Sequence, residues 1–329
     1  MPPQTISTTL TAIPTNSGSK GSPASFPTST ATGPVIIATT ANLGPGFDSF
    51  GCALALYNEL TFEETEAGLR FSGCDPRYAN EDNLAYQAYR AAMEDMGLPV
   101  RGLNIHMETN IPVSRGLGSS AALLAAGAMA ASTLHGGRLD REGLLRVTTP
   151  LEGHPDNLAP AIYGGLTASF LTERGPRAAE FALCPDWHFT VLIPDFELST
   201  RRAREALPDR VSLEDAVFNV SHGAMTLKAL ELGEEELLGL AMEDRLHQNY
   251  RRGLIDGYDR VEEAARDCGA AGFCISGAGP TLLCLSKDPN LEKRLAPALG
   301  DLAGHWRILT LKVDSLGARV VHPDGFPAE

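Results

Sequence analysis

Pro112-Val113-Ser114-Arg115-Gly116-Leu117-Gly118-Ser119-Ser120-Ala121-Ala122 is the most chemically informative stretch of this 329-residue chain. It follows a segment that alternates like a strand and opens one that reads as a helix. Gly116 and Gly118 let the backbone come close to a ligand or take a positive φ. Unpaired N–H groups at a helix start, with the positive end of its dipole, favour an anion. Ser119 and Ser120 add hydroxyls able to bond a phosphate or face a metal ion. A lone Gly-X-Gly would read as a capped turn. Strand, two glycines, paired serines and helix in succession point instead to a phosphate loop. It is not a Walker loop, which needs a lysine, and Ala121 stands where a dinucleotide fingerprint needs its third glycine.

Four other stretches concentrate polar residues. Asn42-Leu43-Gly44-Pro45-Gly46-Phe47-Asp48 begins the body of the chain, and Glu152-Gly153-His154-Pro155-Asp156-Asn157 lies near its middle. Ser199-Thr200-Arg201-Arg202-Ala203-Arg204 is basic. Ser276-Gly277-Ala278-Gly279-Pro280-Thr281 is a second glycine-rich turn. Each has a plain structural counterpart: Asp48 bonding its own turn, Asp156-Asn157 as an Asx turn, Gly277 and Gly279 as a hairpin, Arg201, Arg202 and Arg252 as solvated helix faces. His106, His135 and His247 show no metal-ligand spacing and read as structural.

These groups need elements to position them. Residues 1–33 contain nineteen Ser, Thr or Pro and one charge, Lys20. Such a segment buries too little surface to offset its ordering entropy and reads as a disordered tail, lacking a signal-peptide pattern. From Val35 strands and helices alternate. Strands are expected at 35–38, 54–62, 103–107, 165–171, 189–193, 273–275, 281–285 and 307–313, and helices at 81–96, 119–134, 140–151 and 290–299. Residues 199–268 read as mostly helical. The pattern is α+β or α/β, with the helical stretch after 199 opening a second lobe.

Composition narrows the function. Forty-one acidic against 27 basic residues give a net charge of −14, which argues against nucleic acid and anionic membrane surfaces as partners. The longest apolar run, 121–131, is far short of a membrane span. Six cysteines without Cys-X-X-Cys spacing read as reduced thiols, so a cytoplasmic location is expected. Cys268, Cys274 and Cys284 read as small core residues.

Pro112 to Ala122 resembles the central ATP-binding motif of the GHMP kinases, and the stretches at 38–48 and 276–281 resemble the family's other two motifs. Together the three anchor about 250 residues. The versions at 42–48, at 152–160 and at 199–204 are similar to those of the homoserine kinases within that family. The resemblance implies an α+β, two-lobed GHMP kinase fold. Residues 34–190 would form an N-terminal ATP-binding lobe like ribosomal protein S5 domain 2, and 191–329 a ferredoxin-like C-terminal lobe. It implies ATP and Mg²⁺ as cofactors, L-homoserine as acceptor, and transfer of a phosphoryl group to the acceptor's side-chain hydroxyl. Many relatives are dimers, so a homodimer is an expectation of the same kind.

The residues suit that acceptor. Homoserine is a zwitterion with a free hydroxyl. Asp48, with Asn42 beside it, can pair with the ammonium. Arg204 and Arg251 can grip the carboxylate as bidentate forks. By resemblance Thr200 and His154 join the substrate contacts, Asn157 orients the hydroxyl, and Asp156 is either a substrate contact or a base. Glu152, with Ser119 or Ser120, suits Mg²⁺. Asn83 is implied at the adenine, and Gly277 and Gly279 beside the phosphates. Asn249 and Asp256 stand where the family has prolines, which leaves Arg251 and Arg252 competing for one role. Two alternatives stay open: another GHMP kinase with a small hydroxylated acceptor, and a nucleotide-binding module that has lost the chemistry.

Overall fold

A computed structural model describes residues 31–300, 302 and 306–320. Most of the expected tail, 1–30, lies outside the described residues, as does 321–329. Ala31–Thr32, expected within the tail, form a short strand, β1, on Phe62 and Glu63.

The first lobe is built around one long strand. After β2 (Pro34–Ala41), β3 (Phe50–Thr65) runs for 16 residues and pairs at different points with β1, β2 and the later strands β5 (Gly102–Glu108) and β6 (Leu166–Thr172). β4 (Leu69–Ser72) lies parallel to β5 (Gly102–Glu108); the other pairs are antiparallel. Between them runs α1 (Leu84–Asp95), capped by Asn83, whose Oδ1 accepts the Ala85 N–H at 3.0 Å. α2 (Ser119–Leu134) is Ala-rich and buried on nearly every side, as a helix without a polar face must be. Its close packing on α1 requires Gly127, where a side chain would overlap the Ala85 carbonyl. Asp140 caps α3 (Arg141–Glu152) by accepting the Gly143 N–H at 2.8 Å. Then follow α4 (Leu158–Tyr163), β6 (Leu166–Thr172) and β7 (Gly175–Phe181).

The second sheet has the order β11-β8-β10-β9 and is wholly antiparallel, with β8 (His188–Ile193), β9 (Gly272–Ile275), β10 (Leu282–Ser286) and β11 (Arg307–Leu311). Between β8 and β9 come α5 (Thr200–Glu205), α6 (Leu213–Leu232), α7 (Glu235–Ala241), α8 (Gln248–Arg251) and α9 (Tyr258–Asp267). α10 (Leu291–Ala298) precedes β11. Both faces of this sheet are covered. Phe189, Val191 and Ile193 of β8 join the large core shared with the first lobe, while Leu192 joins a second cluster with Val261 and Leu295. That is why β8 and β10 read as continuous apolar runs.

The chain then returns to the first lobe. Ala55 N–H bonds the Lys312 carbonyl, and β12 (Arg319–Val320) pairs with β2. The expected division of 34–190 from 191–329 therefore needs correcting at its far end, because residues 312–320 pack on the first sheet.

Candidate active site

A cleft of about 510 Å³ opens between the lobes. At one end lies the glycine loop. Ser114, Gly116 and Gly118 take positive φ (53°, 76° and 66°), so the chain doubles back before α2. The first bond inside that helix runs from Ala122 N–H to Gly118 O. The N–H groups of the preceding turn are left for a ligand. The second glycine loop packs backbone to backbone against the first: Thr281 N–H bonds Arg115 O at 3.2 Å, and Ser276 Oγ donates to Gly116 O at 2.6 Å. A Cβ on Gly116 would overlap the Ser276 carbonyl, and one on Gly118 would overlap Thr39 Oγ1 and stand 3.1 Å from Asn157 Oδ1. The first glycine loop therefore leaves no room for a side chain between Gly118 and Asn157.

Around Asn157 the polar groups hold one another. Thr39 Oγ1 donates to Asn157 Oδ1 at 2.8 Å. Asp156 Oδ1 accepts the Asn157 N–H at 3.0 Å and a short bond from His154 Nδ1. Ser120 Oγ donates to Glu152 Oε2, also in a short bond. Burial pushes the Glu152 carboxyl above its usual range, and the Ser120 bond opposes this. Burial also works against charge on His154, but the bond to Asp156 and the charges of Asp156 and Glu152 outweigh it and raise that imidazole.

At the far end, the turn after β2 carries positive φ at Asn42, Leu43, Gly44 and Asp48. Three of these four are not glycine, so the turn is strained and needs outside support. Asn42 supplies part of it: its Oδ1 accepts the Asp48 N–H at 2.9 Å and its Nδ2 donates to Gly277 O at 2.6 Å. Asp48 and Arg204, 156 positions apart, form a bidentate pair at 2.7 and 2.9 Å, with each side chain about one-third exposed. That bond raises the Arg204 guanidinium further. Arg251 is 1% exposed. Its Nε donates to Ala203 O and its Nη1 to Gly277 O and His247 Nδ1. Burial, then the charge of Arg204, pulls it down to about 10.

Most of the residues expected in a site are gathered here. Asn42, Asp48, Glu152, His154, Asp156, Asn157, Thr200, Arg204 and Arg251 line the cleft with Asn83, Gly277, Gly279 and Val113 to Gly116, Gly118, Ser119 and Ser120. Leu117, Ala121 and Ala122 are instead core residues, 1% exposed or less, and Pro112 is not in the cleft wall. Asn83 reaches the wall with its amide engaged, Oδ1 by Ala85 N–H and Nδ2 by Tyr78 O. Of the two neighbouring arginines, Arg251 faces the cleft, whereas Arg252 is partly exposed and pairs with Asp259. Sequence reasoning missed the wall beyond the glycine loop, formed by Cys74, Asp75, Tyr78, Met107, Thr109 and Leu123. Only the Asp75 cap on a short turn at Pro76–Tyr78 left a local trace. Asp48, His154 and Asp156 also place ligand-type atoms within 4.8 Å of one another.

Comparison with known proteins identifies the family. The model described as GHMP kinases N terminal domain matches residues 83–165, and that described as GHMP kinases C terminal matches 226–303. Homoserine kinase of Clostridium botulinum (Kyoto strain) is 41% identical over 285 residues, covering 86% of this chain and 96% of that protein. The Clostridium beijerinckii homoserine kinase is 39% identical over 287 residues, with the same coverage. Among solved structures, homoserine kinase from Cytophaga hutchinsonii superposes with a TM-score of 0.82 at 26% identity, covering 92% of this chain and all of the other. Mevalonate kinase from L. major, at 17% identity and a TM-score of 0.67 over 85% and 95% of the two chains, shares the fold. An identity of two-fifths maintained across nearly a whole relative goes well beyond a shared architecture, and this chain belongs to the homoserine kinases of the GHMP kinase family.

Proposed function

We propose that this enzyme transfers the γ-phosphoryl group of ATP to the side-chain hydroxyl of L-homoserine, giving O-phospho-L-homoserine for threonine biosynthesis. One observation carries the reading. A helix N-terminus suited to phosphate abuts Asn157, and beyond Asn157 lie a carboxylate and two guanidiniums with the charge pattern of an amino-acid zwitterion.

The loop amides from Ser114 to Ser120 would cradle the phosphates, and Asn157 would hold the acceptor hydroxyl in line. Phosphoryl transfer passes through a loose transition state, so positioning and charge stabilisation do most of the catalysis. A dedicated base is not required. Asp156, tied to His154 and the Asn157 N–H, serves to fix the acceptor side of the site. A partly buried carboxylate whose hydrogen-bond partner among the described residues is a hydroxyl fits a hard divalent cation. Glu152 and Ser120, with Ser119 adjacent, would hold Mg²⁺, which neutralises phosphate oxygens when bound. Asp48 would take the ammonium, while Arg204 and Arg251 take the carboxylate, with Thr200 and Asn42 beside them. Asn83 and the wall near Tyr78 would face the base.

A cytoplasmic enzyme acting as a homodimer completes the reading. Among the described residues no helix is long and apolar enough to cross a membrane. The test is ADP release with Mg-ATP and a panel of acceptors: L-homoserine, D-homoserine, L-threonine, shikimate, mevalonate and galactose. Turnover should be strongest on L-homoserine. Preference for an acceptor without an amine would overturn the zwitterion site, and nucleotide binding without turnover on any acceptor would favour a non-catalytic module.

A further inference from the structure

His247 was expected to be a structural histidine, and it is fully buried. Its surroundings give it more to do. Nε2 lies 2.8 Å from the Gly44 carbonyl oxygen, which can only accept, so Nε2 carries the proton. Nδ1 lies 3.4 Å from Nη1 of Arg251, which can only donate, so Nδ1 must be bare. The two contacts together require the neutral Nε2–H tautomer. Burial, reinforced by the Arg251 charge and opposed by Asp244, lowers the imidazole in the direction that keeps it neutral.

What the ring joins matters. Gly44 belongs to the strained turn that presents Asp48, and Asn219 holds the same turn through the Pro45 carbonyl at 3.1 Å. Asp244 anchors this support: its carboxylate accepts from Asn219 Nδ2 and from the His247 and Gln248 N–H groups. Phe47 of the same turn stacks on His247 at 5.1 Å and lies 5.0 Å from the Arg251 guanidinium. Among the described residues, Arg251's hydrogen bonds go to uncharged acceptors: two carbonyls and this imidazole. A carboxylate in the imidazole's place would orient the guanidinium equally well but cancel its charge. A neutral acceptor orients it and leaves its charge for a ligand.

We propose that His247 is the positioning residue of the acceptor site, aiming Arg251 at the substrate carboxylate through Nδ1, with the Nε2 bond to Gly44 holding the ring in the tautomer this requires. The inference rests on the assignment of Arg251 to that carboxylate.

Two substitutions separate the ring's functions. His247→Asn places an amide oxygen near Nδ1 and loses the Gly44 contact. His247→Gln places a donor near Nε2 and loses the Arg251 contact. Steady-state kinetics would be run with each, alongside Arg251→Lys, with melting temperatures recorded. His247→Gln should raise the KM for L-homoserine roughly tenfold, the scale of one lost hydrogen bond to a charged group. His247→Asn should recover most of that affinity, and the KM for ATP should move less than about twofold in either. Equal effects of the two on the homoserine KM, or effects that track melting temperature, overturn the inference. If Arg251→Lys leaves the homoserine KM unchanged, the carboxylate assignment falls and takes the inference with it. If Arg251→Lys raises that KM while the two His247 variants behave alike, the inference alone falls. Nitrogen NMR of the wild-type imidazole is independent of variant folding: the Nε2–H tautomer is required, and the Nδ1–H tautomer contradicts it.

Discussion

Asp48 and Arg204 satisfy each other in the free enzyme, yet the proposed substrate needs both, one for its ammonium and one for its carboxylate. Binding must replace an internal ion pair by two intermolecular ones, and Asp48→Asn isolates the exchange. In the complex the substitution removes a charged hydrogen bond to the ammonium, about 1.5–3 kcal/mol. In the free enzyme it removes a partly exposed pair, which opposes substrate by only about 0–1 kcal/mol. The net loss is about 0.5–3 kcal/mol, or roughly 2- to 150-fold in affinity for L-homoserine. For 4-hydroxybutyrate, which lacks the amine, only the second effect operates, and the variant should bind it as well as or up to about fivefold better than wild type. The assay is coupled ADP release at saturating Mg-ATP and fixed ionic strength, with KM measured for both acceptors. Equal losses for the two would refute the reasoning, because Asp48 would then be acting through the fold and not through the ammonium. A homoserine KM within twofold of wild type would do the same.

Other outcomes follow from the same geometry. Glu152→Gln should abolish most turnover yet raise the melting temperature at pH 8 by about 1–2 °C, since a desolvated charge is removed. The sign follows from the raised carboxyl: the folded state binds its proton more tightly than the unfolded chain, so its contribution to stability is fully present below the unfolded carboxyl range and is lost as pH rises through the folded value. A melting temperature that falls at pH 8 would contradict the burial argument. Gly118→Ala should lower kcat by roughly 10²-fold, because a Cβ at φ 66° collides with Thr39 Oγ1 and crowds Asn157; near-normal kcat would show that Asn157 does not orient the hydroxyl. Asp156→Asn should retain homoserine binding with a kcat loss below the ~10⁴ that general-base catalysis can supply, and a larger loss would make Asp156 the base.

Much of this architecture was legible in local patterns. Asp140 announced α3, Ser119–Leu134 announced the central helix, and the alternation from Leu103 to Met107 announced β5. Leu69–Ser72 and Gly175–Phe181 passed unnoticed because they are short, partly exposed strands whose pairing comes from distant partners. The six-residue α4 was hidden between Pro155 and the Pro160 it contains. In the site, residue types and motif spacing pointed to Asp48, Asn157 and one of Arg251 and Arg252, and Asp48, Asn157 and Arg251 do line the cleft. They gave no hint that Asp48 and Arg204 face each other across the cleft, that Ala121 and Ala122 turn inward, or that His247 links Gly44 to Arg251. Each of these is a tertiary relation, set by packing between segments distant in the chain.

The central claim is that the cleft delivers a phosphoryl group to the side-chain oxygen of an amino acid held by its two charged ends. Phosphorus–proton correlation NMR of the product formed from Mg-ATP and L-homoserine tests it directly. The account predicts one phosphomonoester per ADP released, coupled to the methylene protons that carried the hydroxyl. ADP without a new phosphoester, or phosphate found on the carboxylate or the amine, would contradict it.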